Sequence, residues 1–156
     1  MGVVDLIAAG GMLLQAPCGS FEDAVRGLVA TLIANRQLDG STRDRAVRAV
    51  CQRETVASTA IVEIGVAVPH ARVDGVNGVV AALAASPTAV YYAMVGVPIS
   101  IVVLVLSAPQ RVEEHLNTLA GVSLLLQSAS VRGAVQGATD RADVLRILRG
   151  ENGRGP

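Results

Sequence analysis

The sequence predicts a single α/β domain, with a central mixed β-sheet and helices on both faces. Segments whose apolar residues recur at helical spacing alternate along the chain with short β-branched runs. The run Ile99 to Leu106 is apolar without interruption, as in a strand covered on both faces. A chain of 156 residues, 51% hydrophobic and 17% charged, has the material for one core and no disordered composition. The expected order is therefore one layered domain over residues 1–156, with 1–19 and 150–156 as less ordered ends.

The first helix signal is Ser20, a capping residue with Asp23 three positions on. Phe21, Ala24, Val25, Leu28, Val29, Leu32 and Ile33 then make one broad apolar face, which Asp39-Gly40 ends. Ser41 or Thr42 opens a second helix with Ala46, Val47, Val50 and Cys51 inside. Arg43, Arg45, Arg48 and Arg53 lie mostly on its other sides. A polar stretch, Glu54 to Thr59, leads into a strand through Ile64, Val66 and Val68 that ends at Pro69-His70. Gly75 and Gly78 flank a loop, and Val79 to Ala85 and Ile99 to Leu106 read as strands. After Pro109 a helix is expected with Val112, Leu116, Leu119, Ser123 and Leu126 on one face. Glu113 and Glu114 suit its positive end. A shorter helix around Val131 to Gln136 and one capped by Asp140, with Val144, Ile147 and Leu148 apolar, complete the chain.

Composition excludes several function classes. Net charge is zero, all 13 basic residues are Arg, and they are dispersed, so nothing tracks a nucleic-acid backbone. Phe21, Tyr91 and Tyr92 are the only aromatics, too few for base-stacking platforms. Cys18 and Cys51 form no C-x-x-C pair, and Cys51 reads as a buried apolar thiol in a reduced cytoplasm. The opening MGVVDLIAAGGMLLQAP has Asp5 where a signal peptide is basic, and Leu6 where a myristoylation motif needs Ser or Thr. The run between Pro98 and Pro109 is far short of the ~20 residues that span a bilayer. A soluble, cytoplasmic protein without membrane insertion is expected. There is no GxxxxGK[ST] and no G-x-S-x-G, and two histidines without an acidic pair do not suggest a metal.

Chemistry then falls to the two histidines, both at element boundaries. His70 follows Pro69 at a strand end, where α/β folds place ligands. His115 lies in the first turn of a helix, whose dipole favours the neutral, nucleophilic imidazole. Each alone reads more readily as a surface or structural residue.

The segment R-E-T-V-A-S-T-A-I-V-E-I-G-V-A-V-P-H-A-R, Arg53 to Arg72, together with His115-Leu116 on the later helix, resembles the IIA domains of the bacterial phosphotransferase system. The likeness is to the fructose/mannitol class, which includes the nitrogen-regulatory branch. It extends from about Ser20 to Leu148. The resemblance implies that His70 takes the phosphoryl group, that His115 is the second active-site histidine, and that Arg53 lies near the phosphoryl. Ser58 and Thr59 are further candidate donors to phosphate, although loop hydroxyls also serve as local caps. The implied donor is an HPr-like phosphocarrier. The implied recipient is a IIB component or, in a regulatory protein, another target. No cofactor is implied, since the donor already carries a high-energy phosphoramidate. One departure stands out: Val62-Glu63-Ile64-Gly65 replaces the family's Gly-Asn-Gly. A carboxylate beside the phosphoryl site would repel it, so a fold that has lost phosphotransfer is the third reading.

Overall fold

A computed structural model describes residues 2–94 and 96–150. The outcome at the N-terminus overturns the expected loose end. Residues Val3–Gly10 form helix α1, and Met12–Leu14 form strand β1, which pairs in parallel with a later strand. Ile7 of α1 is fully buried. At the other end, residues 151–156 of the expected frayed tail, 150–156, lie outside the described residues.

Helix α2, Phe21–Ala34, starts where Ser20 accepts a hydrogen bond from the Asp23 N–H. It buries Ala24, Val25, Leu28, Val29 and Leu32. The helix ends five residues ahead of Asp39, with Arg36 in a left-handed turn. A 3₁₀ turn at Gly40–Thr42 feeds α3, Arg43–Val56, which runs further into the polar stretch than expected. Cys51 is half-buried rather than enclosed.

The expected strand through Ile64 is remodelled. Ala60–Ile61 (β2) and Val66–Ala67 (β3) form a hairpin whose tight turn holds Ile64, with Gly65 at φ 68°. The chain does not stop at His70 either, because His70–Arg72 forms β4. Val66 lies opposite Ile101, Ala67 opposite Val102 and His70 opposite Val105, which is one unbroken register. The ladder lapses only at Val68-Pro69, where proline has no N–H to give.

Val79–Ala85 (β5) matches its expected bounds. A small hairpin that sequence reading missed, Tyr91–Ala93 (β6) with Val97–Ile99 (β7), forms a second sheet. Ile101–Ser107 (β8) is buried at all seven positions and is the centre of the main sheet. It pairs antiparallel with β5 on one side and parallel with β3 and β4 on the other. The sheet is thus mixed, in the order β1-β5-β8-β3-β2 with β4 also on β8.

Side chains alternate across this sheet and divide the core in two. Val80, Ala82, Ala84, Val102, Leu104 and Leu106 face α2 and α3. Ala81, Leu83, Ala85, Ile101, Val103 and Val105 face α1 and the three C-terminal helices: Val112–Leu125 (α4), Ala129–Gly137 (α5) and Arg141–Leu148 (α6). The α/β domain with helices on both faces is as the sequence predicts. Asp140 caps α6 through the Ala142 and Asp143 N–H groups, also as expected.

Helix α4 is rotated from its expected setting. Its buried residues are His115, Thr118 and Val122, while Val112 and Leu116 are 46% and 59% exposed. Two contacts explain the rotation: the buried Ser107–His115 hydrogen bond and the packing of α1 on Gly121. The Thr118 hydroxyl donates to the Glu114 carbonyl within the helix, so its burial leaves no proton unpaired. Gly121 lets the Val3 side chain of α1 pack where a methyl group would clash. The apolar residues turned outward flank the histidine that the rotation buries.

Candidate active site at two converging histidines

His70 opens β4 and His115 sits in the first turn of α4. They are 45 residues apart in the chain, yet their ring centroids lie 5.3 Å apart, inclined at 59°. β8 makes this meeting, since it carries β4 alongside it and leads through Pro109 into α4.

Each ring has one nitrogen engaged. Nδ1 of His70 is 2.8 Å from the Val68 carbonyl. A carbonyl only accepts, so Nδ1 carries the proton and Nε2 keeps a free lone pair. Nδ1 of His115 is 2.6 Å from the Ser107 hydroxyl.

Both rings line an open groove of about 730 Å³. Its polar wall is Arg53, from the last turn of α3, with Arg72 and Gln52. Its apolar wall includes Val56, Ala71, Pro109, Val112, Leu116 and Leu119. The guanidinium of Arg53 donates weakly to the Ala57 carbonyl at 3.4 Å, and that of Arg72 to the Pro109 carbonyl at 3.3 Å. Neither takes part in the ion pairs among the described residues. The groove therefore holds two uncompensated positive charges, and it suits an anion.

Arg72 was not singled out from sequence. A strand places residues i and i+2 on one face, so Arg72 joins His70 only because β4 continues past it. Gln52 and Ser107 likewise gave no local signal. Ser58 and Thr59 lie elsewhere: both hydroxyls donate to the Glu54 carboxylate, at 3.1 and 2.9 Å, and neither residue lines the groove. Their protons are already spent on tying down the end of α3, so they stand outside the phosphoryl site proposed below. Glu63 is exposed in the β2–β3 turn and does not line the groove either. The carboxylate is therefore not among the side chains that form the groove.

His115 is held far below the usual imidazole range, at about 4. Burial is the main cause, followed by repulsion from His70, Arg72 and Arg53. In the unfolded chain the same ring titrates near 6.5. Between these values the unfolded chain binds a proton that the folded chain refuses, so acid favours unfolding. The stabilisation is full above about pH 6.5 and is lost as pH falls toward 4, by about 3 kcal/mol at ~1.4 kcal/mol per unit. His115→Gln is expected to lose about 2–3 kcal/mol less stability than the wild type between about pH 7 and pH 4.5. Urea unfolding at both pH values measures this, and equal losses in the two proteins contradict it.

The family described as "Phosphoenolpyruvate-dependent sugar phosphotransferase system, EIIA 2" matches residues 8–150. The chain belongs to that family. This IIA-type protein is 29% identical over 136 residues to a fructose-specific EIIA component of Haloferax volcanii, covering 86% of each chain. Its fold matches the crystal structure of the nitrogen regulatory protein IIA-Ntr of Neisseria meningitidis with a TM-score of 0.77. The identity there is 22%, and 94% of this chain and 98% of that one are covered. It also matches the IIA mannitol enzyme of Escherichia coli, solved in complex with phosphorylated enzyme IIB mannitol. In that case the TM-score is 0.72 at 20% identity, covering 91% and 96%. Membership assigns the protein a phosphocarrier or regulatory role in the phosphotransferase system. Among the described residues no helix is long and apolar enough to cross a membrane.

Proposed function

We propose that this IIA-type protein carries a phosphoryl group on Nε2 of His70. The group arrives from an HPr-like phosphocarrier in the cytoplasm and leaves for a IIB component or is kept as a regulatory mark. The observation that carries the reading is the pairing of a free Nε2 lone pair on His70 with His115 and two unpaired arginines in one groove.

The chemistry balances without a metal or cofactor. The Nε2 lone pair of His70 forms the new N–P bond while the N–P bond to the donor imidazole breaks and that ring keeps its electron pair. The proton of His70 stays on Nδ1, which donates it to the Val68 carbonyl, and that hydrogen bond strengthens as the ring gains positive character. Arg53 and Arg72 offset the charge spread over the phosphoryl oxygens, and catalysis is mainly positioning and electrostatics. Val56, Val112 and Leu116 are 84%, 46% and 59% exposed at the rim. A partner covering them excludes water from the transfer.

The test is incubation with phosphoenolpyruvate, enzyme I and the HPr-like carrier of the same organism. An acid-labile phosphate on the folded protein supports the reading, and its absence contradicts it. Adding a IIB component separates transport from regulation, because a transport component loses its phosphate to IIB.

Arg53 gives a graded check. Arg53→Lys keeps the charge but loses the planar fork that grips two phosphoryl oxygens. Single-turnover phosphorylation is expected to slow on the order of 10-fold, less than the ~10²-fold typical of losing a transition-state donor outright. Stability should stay near wild type, since the side chain makes one long, exposed hydrogen bond. Equal rates would remove Arg53 from the site.

A further inference from the structure

The proton inventory around His115 gives the ring its role, and it turns on Ser107. Ser107 is the last residue of β8 and is fully buried. Its hydroxyl lies 2.6 Å from His115 Nδ1, and among the described residues it has no other hydrogen-bond partner. A hydroxyl has one proton to place. If His115 donated from Nδ1, the Ser107 proton would be buried without an acceptor, a costly arrangement. If Ser107 donates, Nδ1 accepts, and the imidazole proton resides on Nε2.

We propose that Ser107 is a positioning residue that sets the tautomer of His115, keeping its proton on Nε2 so that the ring presents a hydrogen-bond donor to a phosphoryl group on His70. The purpose of this tautomer rests on the phosphocarrier reading; the tautomer itself does not. A phosphoryl group offers only acceptor oxygens, so a bare Nε2 on His115 would repel it and an Nε2–H holds it. The two histidines are thus set oppositely by their Nδ1 partners. The Val68 carbonyl, which only accepts, frees Nε2 of His70 as nucleophile. The Ser107 hydroxyl makes Nε2 of His115 a donor. His115 supplies this donor while neutral, so it gives the groove a hydrogen bond without a third positive charge.

Long-range ¹H–¹⁵N NMR of the imidazole rings, on the unphosphorylated protein near neutral pH, reads the tautomer directly. The expected result is His115 protonated on Nε2 in the wild type, a shift toward Nδ1–H in Ser107→Ala, and a return to Nε2–H in Ser107→Thr. An Nδ1–H wild type, or a tautomer that Ser107→Ala leaves unchanged, overturns the proposal. The wild-type spectrum decides even where a variant folds poorly. Kinetics add a readout that a merely structural serine would not move. Ser107→Ala should slow single-turnover phosphorylation about 10-fold in the wild type and little in a His115→Gln background. Equal slowing in both backgrounds also overturns it. If the wild type takes no phosphate from its own partners, the phosphocarrier reading fails, while the spectra still decide the tautomer.

Discussion

His70→Gln is expected to take up no acid-labile phosphate under conditions that fully label the wild type, whereas His115→Gln is labelled about 10²-fold more slowly. Glutamine approximates the size and polarity of imidazole but offers no nucleophilic nitrogen, so the first change removes the acceptor atom itself. The second removes one donor to the transferring group and leaves the acceptor intact. His115 does not take over when His70 is lost. Its Nδ1 is engaged by Ser107 in the interior, and its Nε2 carries the proton. Rapid-quench labelling of the three proteins, each with an unfolding midpoint recorded, measures the effect. Residual acid-labile phosphate on His70→Gln, or equal rates for the two variants, would contradict the division of roles.

The largest effect on stability is expected at Gly10, far from the groove. This last residue of α1 packs directly on the sheet. A Cβ there would sit 1.6 Å from the Ala81 carbonyl oxygen and 2.9 Å from a Leu32 methyl. The methyl could swing away, but the carbonyl cannot. Ala81 belongs to β5, which is hydrogen-bonded between β1 and β8. Gly10→Ala therefore lifts α1 from the sheet and uncovers Ile7. Overpacking of this kind costs ~1–3 kcal/mol, and exposing an isoleucine adds ~1.5–3 kcal/mol. A loss of about 3 kcal/mol or more by urea denaturation is the expected result. Gly133→Ala is the control. It lies mid-helix in α5 with nothing within 4 Å of a new Cβ, so it should stabilise by roughly 0.5–1 kcal/mol. Two similar small changes would show that α1 is not docked as described.

The element types were largely legible because they rest on local physics. The Ser20 cap, the Asp140 cap and the apolar run of β8 are each decided within a few residues. What escaped was decided by tertiary contact. Residues 1–19 carry no strong periodicity of their own, and α1 is held because Gly10 and the alanines of β5 allow a very close approach. On α4, Val112, Leu116 and Leu119 give as good an apolar stripe as the true inner face. Only the Ser107–His115 bond and the Gly121–Val3 contact select the other rotation. Near His70 the apolar run was legible up to Pro69, but the turn at Ile64 and the continuation along β8 to Arg72 are invisible locally. Of the residues that line the groove, His70, His115 and Arg53 were singled out through family motif rather than periodicity. Ser58, Thr59 and Glu63 show the limit of that route, since a motif says which residues are near in sequence and not where their side chains are spent.

Locating the phosphate decides whether His70 is the acceptor. The wild type is labelled with phosphoenolpyruvate and its own enzyme I and HPr-like carrier, then digested and mapped by mass spectrometry under neutral to basic handling. ¹⁵N NMR of the intact phosphoprotein identifies the ring nitrogen. The expected result is an acid-labile, base-stable phosphate on Nε2 of His70 and nowhere else. A phosphate on His115, an acid-stable phosphate on Ser58 or Thr59, or a folded protein that stays unlabelled would contradict it.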